Sequence, residues 1–152
     1  MPSALEPEEI ALLIAIGEHA ADGKAYEFDV GNAPTGKVIC IGFLGIPPDI
    51  NNPGASLANQ ERWITALQTL RGRRLLTCDH NIYGVHGAGR QLIRRAEESC
   101  KEASEAVKKC LRSLEKAQRA QIDNPGEEAN RKDIERLTEE LLVLCRGIQA
   151  AI

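Results

Sequence analysis

Apolar residues recur at two periods along this chain, and each change of period marks an element. Between residues 6 and 21, Ile10, Leu13, Ile14 and Gly17 share one helical face and Leu12 and Ile16 widen it, which predicts a helix buried on two sides. Pro7 suits the first turn, Glu8 and Glu9 suit the positive end of the helix dipole, and Gly23 follows the end. From residue 25 to 46 the period falls toward two. Tyr26, Phe28 and Val30 alternate with Glu27 and Asp29, a turn-like GNAPTG follows, and VICIGFLGI is β-branched and apolar. A hairpin is the simplest reading, while a short buried helix over the second run fits the same pattern. Residues 47 to 55, PPDINNPGA, have the composition of a loop.

The helical period returns at Ser56, a suitable N-cap, and continues to about Arg71. Leu57, Trp63, Ile64, Leu67 and Leu70 form the apolar stripe, and Ala58, Arg62, Thr65 and Thr69 fall opposite. A basic RGRR follows, then Leu75 and Leu76, a polar tip TCDHN, the short run from Ile82 to Val85, and HGAGRQLIRRA opening another helix. From Gly89 onward, Ile93, Ala96, Cys100, Ala103, Val107, Cys110, Leu114 and Ala117 follow alternating steps of three and four, the spacing of a coiled-coil seam. Asp123 to Gly126 break that helix. A last helix from about Glu127 to Ala151 repeats the rule at Ile134, Leu137, Leu141, Leu144, Ile148 and Ala151. The short connection implies an antiparallel hairpin. Leu111, Leu142 and Cys145 stand off its seam, so a second apolar face must either fold back on the preceding residues or meet a second copy. Pairing is the preferred reading, with Val107, Leu114, Leu137, Leu141, Leu144 and Ile148 as the dimerisation residues.

Composition narrows the picture. Hydrophobic residues make up 43% and aromatics only 3%, so the core must be mainly aliphatic. The 5 cysteines are scattered without a CxxC pair, which points to reduced thiols and a cytoplasmic protein. The N-terminus is acidic where a secretion signal is basic, and the longest apolar run, Ile10 to Gly17, is too short to span a bilayer. Net charge is −3 but unevenly placed: Lys and Arg minus Asp and Glu gives 2 − 8 = −6 over residues 1 to 54, 7 − 2 = +5 over 55 to 95, and 10 − 12 = −2 over 96 to 152. Cys78, Asp79, His80 and His86 are close in sequence, yet they lack the paired-ligand spacing of a zinc site and an orienting group for a nucleophilic cysteine. GNAPTG lacks phosphate-loop spacing. The reading is therefore non-enzymatic, with no metal and no cofactor.

Residues 56 to 95 resemble the winged-helix DNA-binding superfamily, in particular small bacterial regulators of the MarR and PadR kind. Their recurrent pattern is a recognition helix ending in ALxxLxxxGLL, a two-stranded wing, and a tyrosine strand leading to a TxxGR helix start. Ala66, Leu67, Leu70, Leu75 and Leu76 match the first part, Tyr83 and Val85 the strand, and Gly89 with Arg90 the helix start. His86 stands where a capping Thr is commoner. The resemblance implies a mainly α fold with a small β component: a winged-helix-like domain over residues 1 to 95 and an antiparallel coiled-coil hairpin over 96 to 152. It also implies a homodimeric transcriptional regulator on double-stranded DNA. Ser56, Ala58, Arg62, Thr65 and Thr69 would face the major groove, Arg71, Arg73 and Arg74 would meet phosphates, and His80 and Asn81 would approach the backbone at the wing tip. A helix-turn-helix then requires another helix between Val38 and Ala55. The competing reading is a non-catalytic adaptor or structural subunit with a protein partner.

Overall fold

The computed structural model describes residues 5–21, 26–29, 40–41, 53–79, 82–123 and 128–152. Its first helix, α1 (Pro7–Ala21), is the hub. The Glu6 carbonyl accepts the Ile10 N–H at 3.0 Å, which starts the helix one residue after the predicted boundary. Every side chain from Ile10 to Ile16 is buried. Seven consecutive residues cover the whole circumference of a helix, so α1 is enclosed on all sides through this stretch, not on two.

The next elements are strands β1 (Tyr26–Asp29) and β2 (Cys40–Ile41), which pair antiparallel with Phe28 opposite Ile41, so the second run is extended at these residues. Helix α2 (Pro53–Gly72) follows, then β3 (Leu76–Asp79) and β4 (Ile82–Val85). The four strands lie in the order β2-β1-β4-β3, all neighbours antiparallel. Residues 53 to 55, expected in a loop, belong to α2. Proline at the first helical position loses no hydrogen bond, because that N–H has no partner within the helix, so Pro53 begins the helix and Ser56 lies inside it. The turn GNAPTG lies outside the described residues. So does most of the interval expected to hold a second helix, within which Cys40–Ile41 is strand and Pro53 to Ala55 belongs to α2.

Three further helices complete the chain: α3 (Gly87–Ser99), α4 (Lys101–Asp123) and α5 (Glu128–Ala151). The expected unbroken helix from Gly89 to the Asp123 break is interrupted at Cys100, whose backbone (φ −138°, ψ 59°) leaves helical space. Cys100 keeps its own two helical bonds: its N–H donates to Ala96 O and its carbonyl accepts from the Ser104 N–H, both at 2.8 Å. Beyond the bend, α3 and α4 each pack against α1. Helices α4 and α5 pack along each other, with the Cys110 thiol donating to the Leu137 carbonyl at 3.2 Å.

Val107, Leu114, Leu137, Leu141 and Ile148 are buried within the single chain and Leu144 is half-buried. The off-seam Leu111, Leu142 and Cys145 are buried too. Helix α1 packs on α5, and Gln149 Nε2 donates to Leu5 O at 2.7 Å, so the hairpin folds back on the N-terminal helix. The buried residues form one cluster from Leu5 to Ile148, and the expected boundary at residues 95 and 96 falls inside α3.

Candidate nucleic-acid interface

The corner where α2 meets the β3–β4 hairpin is built by a helix cap. Arg74 N–H donates to Arg71 O at 3.0 Å and Leu75 N–H donates to Leu70 O at 3.0 Å. This pair of bonds is the Schellman motif, with Arg74 at the left-handed position (φ 60°) and Leu75 packed in the core with Leu70. Glycine normally holds that position, since a Cβ there costs about 1–2 kcal/mol. Arg71 and Arg74 are exposed and form no ion pair among the described residues.

The hairpin and the start of α3 close on this corner. The His86 N–H donates to Leu75 O at 3.0 Å, and Leu76 stands opposite Val85. A Cβ added at Gly89 would meet Leu75 O at 2.4 Å, Val85 Cγ1 at 2.8 Å and Leu13 Cδ1 at 3.2 Å. Only glycine lets α3 approach the turn this closely. His86 caps α3 in extended backbone geometry, with no side-chain cap bond. Exposed Arg90 joins the corner from α3, its Nε reaching toward Val85 O at 3.5 Å. Arg71, Arg74 and Arg90 thus come from two segments fixed to one another.

The outer face of α2 has a different character. Trp63, Ala66, Leu67 and Leu70 are buried against the core, leaving Arg62, Thr65 and Thr69 exposed, as the helical period requires. Yet α1 lies alongside, and its first turn presents carboxylates. Arg62 Nη2 is 2.5 Å from Glu8 Oε1, and Arg73 Nη1 is 3.8 Å from Glu9 Oε2. Thr69 Oγ1 donates to Thr65 O at 2.9 Å, so its oxygen is left to accept. Of the arginines and threonines expected on DNA, Arg62 and Arg73 are therefore matched by acidic residues that sequence separation concealed, whereas Thr65, Thr69, Arg71 and Arg74 are not. For Ser56 and Ala58 the backbone alone is described, within α2; His80 and Asn81 lie outside the described residues.

Glu9 is the residue that sequence reasoning placed only as a favourable charge at a helix start. It is 6% exposed, its carboxylate accepts from the Glu6 backbone N–H, and Oε2 has no hydrogen-bond partner. Burial pushes its pKa above the ordinary value near 4.5, opposed by the Glu6 backbone bond and by Arg73. Elsewhere, burial holds the Cys110 thiol up at about 11 and the Cys145 thiol at about 12, so both stay protonated at neutral pH. Among the described residues no group of three or more His, Cys, Asp or Glu is placed to hold a metal ion, and no helix is long and apolar enough to cross a membrane. Compared with protein-family models, curated proteins and solved structures, the chain matches none.

Proposed function

We propose that the chain binds double-stranded DNA through the corner formed by α2, the β3–β4 hairpin and the start of α3. The observation that carries this reading is Arg74: an exposed arginine in a left-handed backbone position where glycine would relieve strain. Strain retained at a surface position points to a role for the side chain itself. The strand order, with β1 beside β4 and the hairpin directly after α2, supports a winged-helix-like arrangement. Arg71, Arg74 and Arg90 would neutralise phosphates and set affinity, whereas Thr65 and Thr69 would offer the acceptors and hydroxyls that read base edges. Two-fold pairing, which the family resemblance implies, would have to use surface outside the α4–α5 seam, because that seam is filled within one chain.

Fluorescence anisotropy with a labelled duplex of random sequence, followed across salt, tests the reading. Each arginine replaced by alanine at 71 or 74 should weaken binding and flatten the dependence of log K on log salt by about one. Binding that is salt-independent, or unchanged in the Arg71→Ala, Arg74→Ala double variant, would sink it.

A second reading, a non-catalytic protein-interaction module, is favoured by the pairing of Arg62 with Glu8 and Arg73 with Glu9, which leaves the α2 face balanced in charge. Glu8→Gln separates the two. It frees Arg62 and should raise DNA affinity if that face meets DNA, and leave it unaltered if the face serves a protein.

A further inference from the structure

Helix α3 carries its charges in an order that its own dipole disfavours. Its arginines, Arg90, Arg94 and Arg95, all precede its glutamates, Glu97 and Glu98, so the first turn has no acidic residue and the last turn no basic one. The N-terminal end of a helix is positive and the C-terminal end negative, so this order works against the helix. Glu97 has a tertiary reason for its place, an ion pair with Lys108 of α4 at 3.0 Å. The arginines have no such partner: each is exposed and none forms an ion pair among the described residues, Arg94 included, although exposed Glu98 stands one turn on. Unpaired charge held against the dipole has no account in the stability of α3 and points to a ligand of opposite sign.

The start of α3 is fixed to the α2 turn by the His86 N–H bond to Leu75 O and by the close approach at Gly89, and Arg90 is held at that corner by Val85 O. Arg94 is the next position on the same flank. At 3.6 residues per turn it lies about 40° around the helix from Arg90, with the two Cβ atoms about 5–6 Å apart. Arg95 falls beyond the opposite edge of the stripe of Gly89, Leu92, Ile93 and Ala96 that faces the core, about 140° from Arg90. A row of unpaired guanidiniums suits a polyanion with regularly spaced charges, as a duplex strand is. Resting on the DNA reading of the corner, we propose that the duplex continues past the α2 turn along the first two turns of α3, where Arg94 binds a further phosphate and Arg95 binds none. Glu98 ends the contact, since a carboxylate there repels the next phosphate.

Fluorescence anisotropy of the full chain on a labelled random duplex, followed across salt, tests the extension through single variants. Arg94→Ala should flatten the dependence of log K on log salt by about one and weaken binding severalfold at low salt. Arg95→Ala should keep the native slope. Arg94→Lys should keep it too, because a point charge suffices to displace a counterion. Alanine at 94 removes a charge that the dipole disfavours, so Arg94→Ala should melt no lower than the native chain. A native slope in Arg94→Ala, with the Arg71→Ala, Arg74→Ala double variant still weakened, overturns the extension and leaves the corner reading standing. Equal losses in Arg94→Ala and Arg95→Ala overturn it as well, because they report general charge and not a directed contact. A lowered melting temperature in Arg94→Ala assigns the residue to the fold instead. Binding of the native chain that ignores salt sinks the corner reading and the extension together.

Discussion

Arg74 and Glu9 are both held in states that simpler residues would avoid, one by backbone conformation and the other by burial. Replacing Arg74 by glycine keeps both cap bonds and removes the Cβ penalty, so Arg74→Gly should raise stability to urea by about 1 kcal/mol. The same variant should bind DNA more weakly, because the guanidinium is gone; a loss of stability would refute the strain account. For Glu9, the folded pKa is raised by burial, against the opposing Glu6 backbone bond and Arg73 and with Glu6 and Glu8 adding to the rise. A carboxyl group raised in the fold contributes most when protonated, below its unfolded value near 4.5, and that contribution is lost as pH climbs through the raised folded value. Melting temperatures of Glu9→Gln and the native chain should therefore diverge in favour of the variant as pH rises from about 4.5, then run parallel. Curves that diverge in the opposite sense would show that Arg73 outweighs desolvation.

At the scale of elements, the junction of hairpin and α3 depends on Gly89. Its neighbours in space are a backbone carbonyl, a β-branched side chain and a residue of α1, and the carbonyl cannot rotate away without losing the His86 bond. Gly89→Ala should destabilise by about 1–3 kcal/mol through overpacking, visible as a lower urea midpoint with an unchanged slope. Gly17 is a useful comparison, since the closest atom to its Cβ position is Ile93 Cδ1, the mobile end of a side chain. Alanine at 17 should cost less than alanine at 89. An inverted order would mean that α3 does not rest on the turn as described.

Across the whole molecule, α1 fills the role that a second copy was expected to play for the hairpin. Leu141 and Ile148 are fully buried within one chain, and among the described residues only Val143, at 59% exposure, and the terminal Ile152 are large exposed hydrophobics. Leu141→Ala should cost about 2–5 kcal/mol of folding stability by leaving a cavity, while the mass measured by light scattering stays that of the native protein. A change of oligomeric mass with little loss of stability would assign Leu141 to a subunit interface instead.

Much of this was legible in order along the chain. Pro7 with Glu8 and Glu9, the stripe through Trp63, Leu67 and Leu70, the paired leucines before the hairpin, and the helix opening in HGAGRQLIRRA all follow from local rules of period, capping and turn chemistry. These rules act over a few residues, so they survive without knowledge of the fold. The hairpin's apolar seam was equally plain, because a period of three and four determines which face must be covered. What covers it was not encoded in that period. The choice of α1, about a hundred residues away in sequence, emerged only from packing, as did the pairing of Glu8 with Arg62 and the seating of Glu9 beside Arg73. A hydrophobic pattern specifies that surface leaves water but not its partner, and charge counted along a segment cannot reveal a carboxylate brought to it by tertiary structure. Glu8 and Glu9 meet Arg62 and Arg73 only because the fold lays the first turn of α1 beside α2, a placement that neither helix's own pattern states.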